Sequence, residues 1–130
     1  MNTAGITLKT AVATLEAAGM QFTTEELGKD ARVVVLLHGG RVLGPFIGDG
    51  ESLLWVNPLL ADAAGVRAFT EEGNWNTGGE RVYIGPELRY SVPDRSDFWN
   101  SYTLSPAVDP GNYAFVDEHK GPGCIVWQEM

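Results

Sequence analysis

Residues 32–46 read RVVVLLHGGRVLGPF, and this stretch decides the fold. Residues 32–37 are rich in β-branched side chains and almost continuously apolar, which predicts a buried strand. The turn residues His38, Gly39 and Gly40 follow, and residues 41–46 predict a second strand that Pro45 weakens near its end.

The flanking sequence extends this pattern. A turn at residues 48–50 precedes residues 52–56 (SLLWV), which predict a third strand and hence an antiparallel meander. Residues 7–19 predict a short helix with Thr7 as N-cap and Gly19 at its C-terminal end. Its apolar stripe at helical spacing consists of Leu8, Ala11, Val12 and Leu15.

The remaining segments are less regular. Residues 22–26 could begin another turn, and residues 59–68 are either a short helix or an irregular connection. Further strands are predicted at residues 81–85, 113–116 and 124–130, and residues 87–110 are expected to be a long loop that is functional or packed across a face. The expected fold is mainly β, an antiparallel β-sandwich with a short N-terminal helix.

The composition restricts the class of protein. The chain has 130 residues, 44% of them apolar and 20% charged, so a folded domain with its own core is expected. Nine basic residues against 17 acidic ones give a net charge of −8, which argues against nucleic acid and anionic membranes as partners. Sixteen Gly, 7 Pro, 4 Trp, 4 Tyr and 5 Phe favour turn-rich β structure and sites that stack flat ligands or sugars.

Several chemical signals are missing from the sequence. The N-terminus has no basic cluster followed by an apolar run, so no signal peptide is predicted, and no run of about 18 apolar residues predicts a transmembrane helix. A cytoplasmic location is therefore expected. The single cysteine, Cys124, cannot form an internal disulfide and is either a buried small hydrophobe or a reactive thiol.

No metal or cofactor is predicted. His38 and His119 are the only histidines and do not form a spaced ligand pair. The carboxylates Asp94, Asp97 and Glu87 lack EF-hand spacing and are expected to be solvated or to cap turns. The chain also lacks a phosphate-binding loop and a nucleophile elbow of the G-x-S-x-G type.

Residues 74–87 (NWNTGGERVYIGPE) form the most informative run for a binding site. Gly78 and Gly79 allow a close backbone approach, and Arg81 at a strand start can present donors to hydroxyls or a carboxylate. Glu87 is a candidate acceptor, while Trp75 and Trp99 could stack on a sugar. The alternative is that Arg81 and Glu87 form an ion pair that braces the loop, with both tryptophans in the core.

Two further residues are weaker lining candidates. Arg41 follows the Gly39-Gly40 turn and lies either at the mouth of a cleft or on an exposed strand position. His38 precedes the same turn and is the second lining candidate.

Three of these segments, taken in order, resemble the N-terminal half of galactose-mutarotase-like (aldose 1-epimerase-like) proteins, closest to an uncharacterised bacterial branch. The segments are 38–44 (HGGRVLG), 53–58 (LLWVNP) and 78–87 (GGERVYIGPE). Phe98 and Trp99, with residues 103–107 (TLSPA), are similar to the family's next loop. The resemblance covers roughly residues 30 to 130.

The resemblance implies a β-supersandwich that binds carbohydrate on an open sheet face. Epimerases of the family interconvert anomers with a His general acid and a Glu general base, so isomerase chemistry is implied for the family. Arg81 would match the arginine that contacts sugar hydroxyls.

Departures from the family limit these implications. The family's catalytic pair lies in the later half of a longer chain, His119 does not match the catalytic His, and Tyr83 stands where relatives have Trp. The chain is then either a single domain spanning 1–130 or the N-terminal part of a larger supersandwich whose C-terminal half is missing.

The expected function is binding of a small-molecule carbohydrate by a segment that is inactive alone. The alternative is a structural or interaction module that completes its sheet as a homo-oligomer.

Overall fold

The computed structural model describes residues 5–74, 76–81 and 85–116, and the backbone of residues 126 and 127. Predictions that concern Trp75, Tyr83, His119 and Cys124 lie outside the described residues, as does most of the strand expected at 124–130.

The N-terminal helix α1 spans Leu8–Ala18, and both of its predicted ends are confirmed. The Thr7 hydroxyl accepts a hydrogen bond from the Thr10 backbone amide at 3.2 Å, which satisfies one of the amides that have no partner within the helix. Gly19 ends the helix with a φ of 73°, a left-handed conformation that glycine adopts without steric cost. Ala11 and Leu15 are fully buried, so the predicted apolar stripe faces the core.

A four-stranded antiparallel sheet follows, with the strand order β1-β2-β3-β4. Its strands are β1 (Phe22–Glu26), β2 (Ala31–Leu36), β3 (Arg41–Ile47) and β4 (Glu80–Arg81). The hairpin of β2 and β3 confirms the prediction from residues 32–46.

Strand β1 was not expected from its polar sequence, FTTEE. It forms at the sheet edge because β2 offers a complementary register in which Phe22 lies opposite Leu36. Pairing with an apolar neighbour thus overrides weak local propensity.

The third strand expected at residues 52–56 is wrong. The backbone of this segment instead makes isolated bridges to different neighbours, with Ser52 opposite Phe46 and Val56 opposite Gly78. No single partner strand runs alongside it, so no ladder forms. Only Val56 of this segment is buried.

Short helices occupy much of the remaining described chain. A 3₁₀ helix, Pro58–Ala61, leads into α2 (Ala63–Glu71), and α3 (Glu87–Ser91) and α4 (Phe98–Ser101) lie in the segment expected to be a loop. A small second sheet pairs β5 (Ala114–Phe115) with β6 (Val126–Trp127). Helices account for 38% of the structure and strands for 25%, so the antiparallel sheet is confirmed but a mainly β sandwich is not.

The core lies between one face of the sheet and helices α1 and α2. Its central side chains are Leu15 of α1, Leu36 of β2, Leu43 and Phe46 of β3, and Val66 of α2. This packing leaves the turn between β2 and β3, together with β4, at one end of the sheet. None of the helices in the described ranges is long and apolar enough to cross a membrane.

Candidate functional site

Two arginines meet where β3 and β4 begin to pair. Arg41 and Arg81 lie directly opposite each other in the antiparallel register, an arrangement in which like charges repel. Asp109, from the turn Ala107–Gly111, lies between them. Its Oδ2 accepts from Arg41 Nη2 at 2.6 Å and from Arg81 Nη1 at 3.0 Å, and Arg41 Nη1 also donates to the Gly78 carbonyl at 3.4 Å.

This charge cluster is buried. The side chains of Arg41 and Arg81 are each 3% exposed, and that of Asp109 is fully buried. A buried charge is tolerated only when it is paired and hydrogen-bonded, and the Asp109 carboxylate compensates both guanidinium groups.

The glycine pair between β2 and β3 allows the Asp109 turn to approach. Gly39 has a φ of 82°, and a Cβ atom there would lie 3.0 Å from Asp109 Oδ1. At Gly40, with a φ of 55°, a Cβ atom would lie 2.6 Å from the ring of Tyr113. The Gly39 amide donates to the Pro110 carbonyl at 2.7 Å, which joins the two turns.

Tyr113 closes this side of the cluster. Its hydroxyl donates to the Val108 carbonyl at 3.0 Å. Burial, and secondarily the charge of Asp109, raises the pKa of Tyr113 above its usual value.

His38 reaches the cluster from the end of β2. Its Nε2 atom is buried and has no hydrogen-bond partner among the described residues, and the same holds for Asp109 Oδ1. Burial lowers the pKa of His38 below its ordinary value, although the Asp109 charge and a hydrogen bond with the Asn74 backbone partly oppose the shift. The shift favours the neutral form of the His38 imidazole.

Glu87 forms the solvent side of the site. It is the first residue of α3, and its side chain is 41% exposed. Arg81 Nη2 lies 3.9 Å from Glu87 Oε1, and the Tyr102 hydroxyl donates to the same oxygen at 2.7 Å. Burial and the adjacent Glu87 carboxylate raise the pKa of Tyr102. Glu87 is thus held in one orientation while part of it faces solvent.

Three aromatic rings, each in contact with the next, connect Glu87 to the exposed surface. The Tyr102 and Phe98 rings are stacked, with centroids 6.3 Å apart. Phe98 in turn makes an edge-to-face contact with Trp99 at 4.8 Å. Trp99 is 86% exposed, so it does not fill the core as one interpretation of the sequence expected.

The structure thus brings His38, Arg41, Arg81 and Glu87 to one end of the sheet and connects Trp99 to them through two other aromatic rings. Arg41 is not an exposed strand residue, because it is buried in the ion pair with Asp109. The expected ion pair of Arg81 with Glu87 is present at 3.9 Å, but the contact of Arg81 with Asp109 is shorter.

Sequence reasoning missed Asp109, Tyr102 and Tyr113. The two arginines on adjacent strands signal that a buried acid is needed. Nothing in the local sequence around residue 109 identifies Asp109 as that acid.

Comparisons with protein-family models, with curated proteins and with solved structures find no match to this chain.

Proposed function

We propose that the protein binds a small carbohydrate at Glu87 and the adjacent aromatic side chains. The observation that carries this proposal is a partly exposed carboxylate fixed by Tyr102 and Arg81 beside an exposed tryptophan. Sugars present hydroxyl donors and apolar C–H faces, which match a carboxylate acceptor and an aromatic ring, respectively.

Each residue has a distinct role in this proposal. Glu87 accepts hydrogen bonds from sugar hydroxyls, since a carboxylate can accept several and Tyr102 occupies only one of its acceptor positions. Trp99 stacks on the sugar ring. Arg81, buried and clamped by Asp109, orients Glu87 and so reduces the entropy lost on binding.

His38 and Arg41 support the site from behind. Arg41 holds Asp109 from the opposite side, and His38 lies against the same buried cluster. Both are positioning residues that keep Arg81 in place. The proposed activity is binding, with no catalytic acid–base pair assigned.

The resemblance to galactose-mutarotase-like proteins supports the same proposal. Two of its motif segments contribute residues that pair with each other, because residues 41 and 42 of one lie opposite residues 81 and 80 of the other across β3 and β4. We propose on this basis that the four-stranded sheet is part of a mutarotase-like β-supersandwich.

The test is a titration of the protein with a panel of monosaccharides, followed by tryptophan fluorescence and by isothermal calorimetry. A saturable signal is expected with at least one sugar. Glu87→Gln should weaken binding about 10-fold or more, the typical effect of losing a hydrogen bond to a charged group. Trp99→Phe should remove most of the fluorescence change.

Two matched variants serve as controls. Glu71→Gln changes an exposed carboxylate on α2, and Trp55→Phe changes another exposed tryptophan. Both should leave the affinity unchanged. The proposal is refuted if calorimetry shows no binding of any sugar, or if Glu87→Gln binds as tightly as the unchanged protein.

A second candidate function rests on the edge strand β1. Within the described residues β1 pairs only with β2, so it is an edge strand of the four-stranded sheet. Strand pairing with another copy would complete the sheet. Sedimentation velocity at micromolar concentration should then show a stable oligomer, and a monomer would contradict this candidate.

A further inference from the structure

Three consecutive large apolar side chains face solvent between β3 and the 3₁₀ helix. Leu53 is 70% exposed, Leu54 41% and Trp55 58%. These three residues are the 53–55 patch. Adjacent exposed apolar side chains of this size form a candidate interaction surface. It lies outside the set of residues assigned to the sugar site.

The backbone beneath the 53–55 patch is firmly held. The Leu53 amide donates to the Pro45 carbonyl at 3.0 Å, and the Leu54 amide donates to the Gly44 carbonyl at 3.2 Å. The Trp55 carbonyl accepts from the Gly79 amide at 2.8 Å. The apolar side chains are therefore presented on a fixed backbone, which lowers the entropy that a partner's binding would cost.

A pocket of about 220 Å³ adjoins the patch. Leu54, Trp55 and Pro58 form an apolar wall, and the Glu51 side chain also lines the pocket. The volume is below that of sites for drug-sized ligands and suits a single side chain.

The Glu51 carboxylate gives this pocket its chemistry. Its Oε1 accepts from the Gly5 amide at 2.8 Å, and no described ion pair joins it to a basic side chain. A Lys or Arg side chain fits such a pocket, because its methylene stem packs on Leu54 and Trp55 while its cation meets both the carboxylate and the indole face.

The charge of the pocket and of the chain also favours a basic partner. Glu51 is the one ionisable side chain among the residues that line the pocket, and the whole chain carries a net charge of −8. A second copy would bring the same acidic surface to the contact, and an anionic membrane would also be repelled. A basic partner is complementary in charge and would be steered toward this surface.

We infer that the 53–55 patch and its pocket bind a basic amphipathic segment of a partner protein. The apolar side chains of that segment pack on Leu53 and Trp55, and one of its Lys or Arg side chains enters the pocket against Glu51. This interaction is independent of the sugar site.

The probe is a fluorescein-labelled amphipathic peptide of Leu and Lys, about 15 residues long so that it can become helical. Fluorescence anisotropy with the full chain at low ionic strength should show saturable binding. A peptide with Glu in place of every Lys should not bind. Added salt should weaken the complex, because the contact between Glu51 and a cation is partly screened.

Variants locate the contact. Trp55→Ala should weaken binding about 30-fold, as expected for an aromatic hot spot. Leu53→Ser should also weaken it, whereas Leu27→Ser, which alters a leucine of similar exposure at the end of β1, should not. Glu51→Gln should weaken binding about 5-fold, and Glu71→Gln should have no effect. All changed side chains except Glu51 lack described hydrogen bonds, and far-UV circular dichroism checks that each variant is folded.

Three results would overturn the inference. The first is equal binding of the Lys and Glu peptides. The second is an equal effect of Glu51→Gln and Glu71→Gln, which would show non-specific attraction to an acidic protein. The third is self-association of the unchanged protein that Trp55→Ala abolishes, which would make a second copy the occupant.

Discussion

Replacing Asp109 by Asn should destabilise the protein strongly, because two buried guanidinium groups share its carboxylate. Asp109 Oδ2 lies 2.6 Å from Arg41 Nη2 and 3.0 Å from Arg81 Nη1. Asn has nearly the same shape but no charge. The substitution therefore leaves Arg41 and Arg81 opposite each other on paired strands with their main counter-charge removed.

The magnitude follows from the burial of the three side chains, none of which is more than 3% exposed. Removing one partner of a buried ion pair typically costs about 3–5 kcal/mol. Domains of this size unfold with a free energy of about 5–15 kcal/mol, so the loss is a large fraction of the total. The melting temperature should fall by about 10–20 °C.

The assay is urea unfolding followed by far-UV circular dichroism. With a slope of about 2 kcal/mol per molar urea, the midpoint should fall by about 2 M while the slope itself stays constant. The exposed ion pair of Glu26 and Arg32 is a matched control, since its side chains are 74% and 55% exposed and its atoms are 3.4 Å apart. Glu26→Gln should change stability by no more than about 0.5 kcal/mol.

A double variant tests whether repulsion between the two buried arginines causes the loss of stability. Arg41→Met with Asp109→Asn should lose less stability than the sum of the two single losses, because removing one cation relieves part of the repulsion that Asp109→Asn exposes. The reasoning is refuted if Asp109→Asn costs no more than Glu26→Gln, or if the two single losses simply add.

Three further predictions concern other parts of the structure. Because burial lowers the pKa of His38 below 6.5, the unfolded chain binds an extra proton as the pH falls below 6.5, and stability is lost in that range. His38→Gln should make the free energy of unfolding flatter between pH 7 and pH 5, and an unchanged slope would contradict this cause. Gly78→Ala places a Cβ atom 2.5 Å from a backbone carbonyl oxygen at a φ of 92°, so it should cost more than Gly73→Ala, which has a φ of 77° and open space around it. From urea midpoints, the free energy of unfolding should fall by about 1 kcal/mol for Gly73→Ala and by at least twice that for Gly78→Ala. Equal losses for the two variants would contradict the close contact at Gly78. Thr7→Ala should cost about 1 kcal/mol by thermal melting through loss of the α1 cap, whereas Thr10→Ala, which keeps the capped amide, should cost less.

The parts of the fold that depend on neighbouring residues were predictable from the sequence. Thr7 and Gly19 end α1 by interactions within a few residues, and the β2–β3 hairpin follows from two apolar runs around a glycine turn. Strand β1 and the exposed patch at residues 53–55 were not predictable, because both depend on which distant backbone groups lie beside them.

The candidate site was likewise predictable only in part. The residue types alone identified Arg41, Arg81 and Glu87 as candidates, and the glycine pair that precedes each arginine indicated close approach of the backbone. Asp109, which holds the two arginines together, could not be found in this way.

The sequence by itself determined the first helix, the central hairpin and the acidic charge of the chain, because caps, periodicity and composition act locally or as sums. Only the tertiary structure decided which charges are buried together. Asp109 lies 68 residues from Arg41 and 28 from Arg81 along the chain. Their pairing arises because two strands place like charges opposite each other in a nearly water-free interior, where a carboxylate is needed to compensate them.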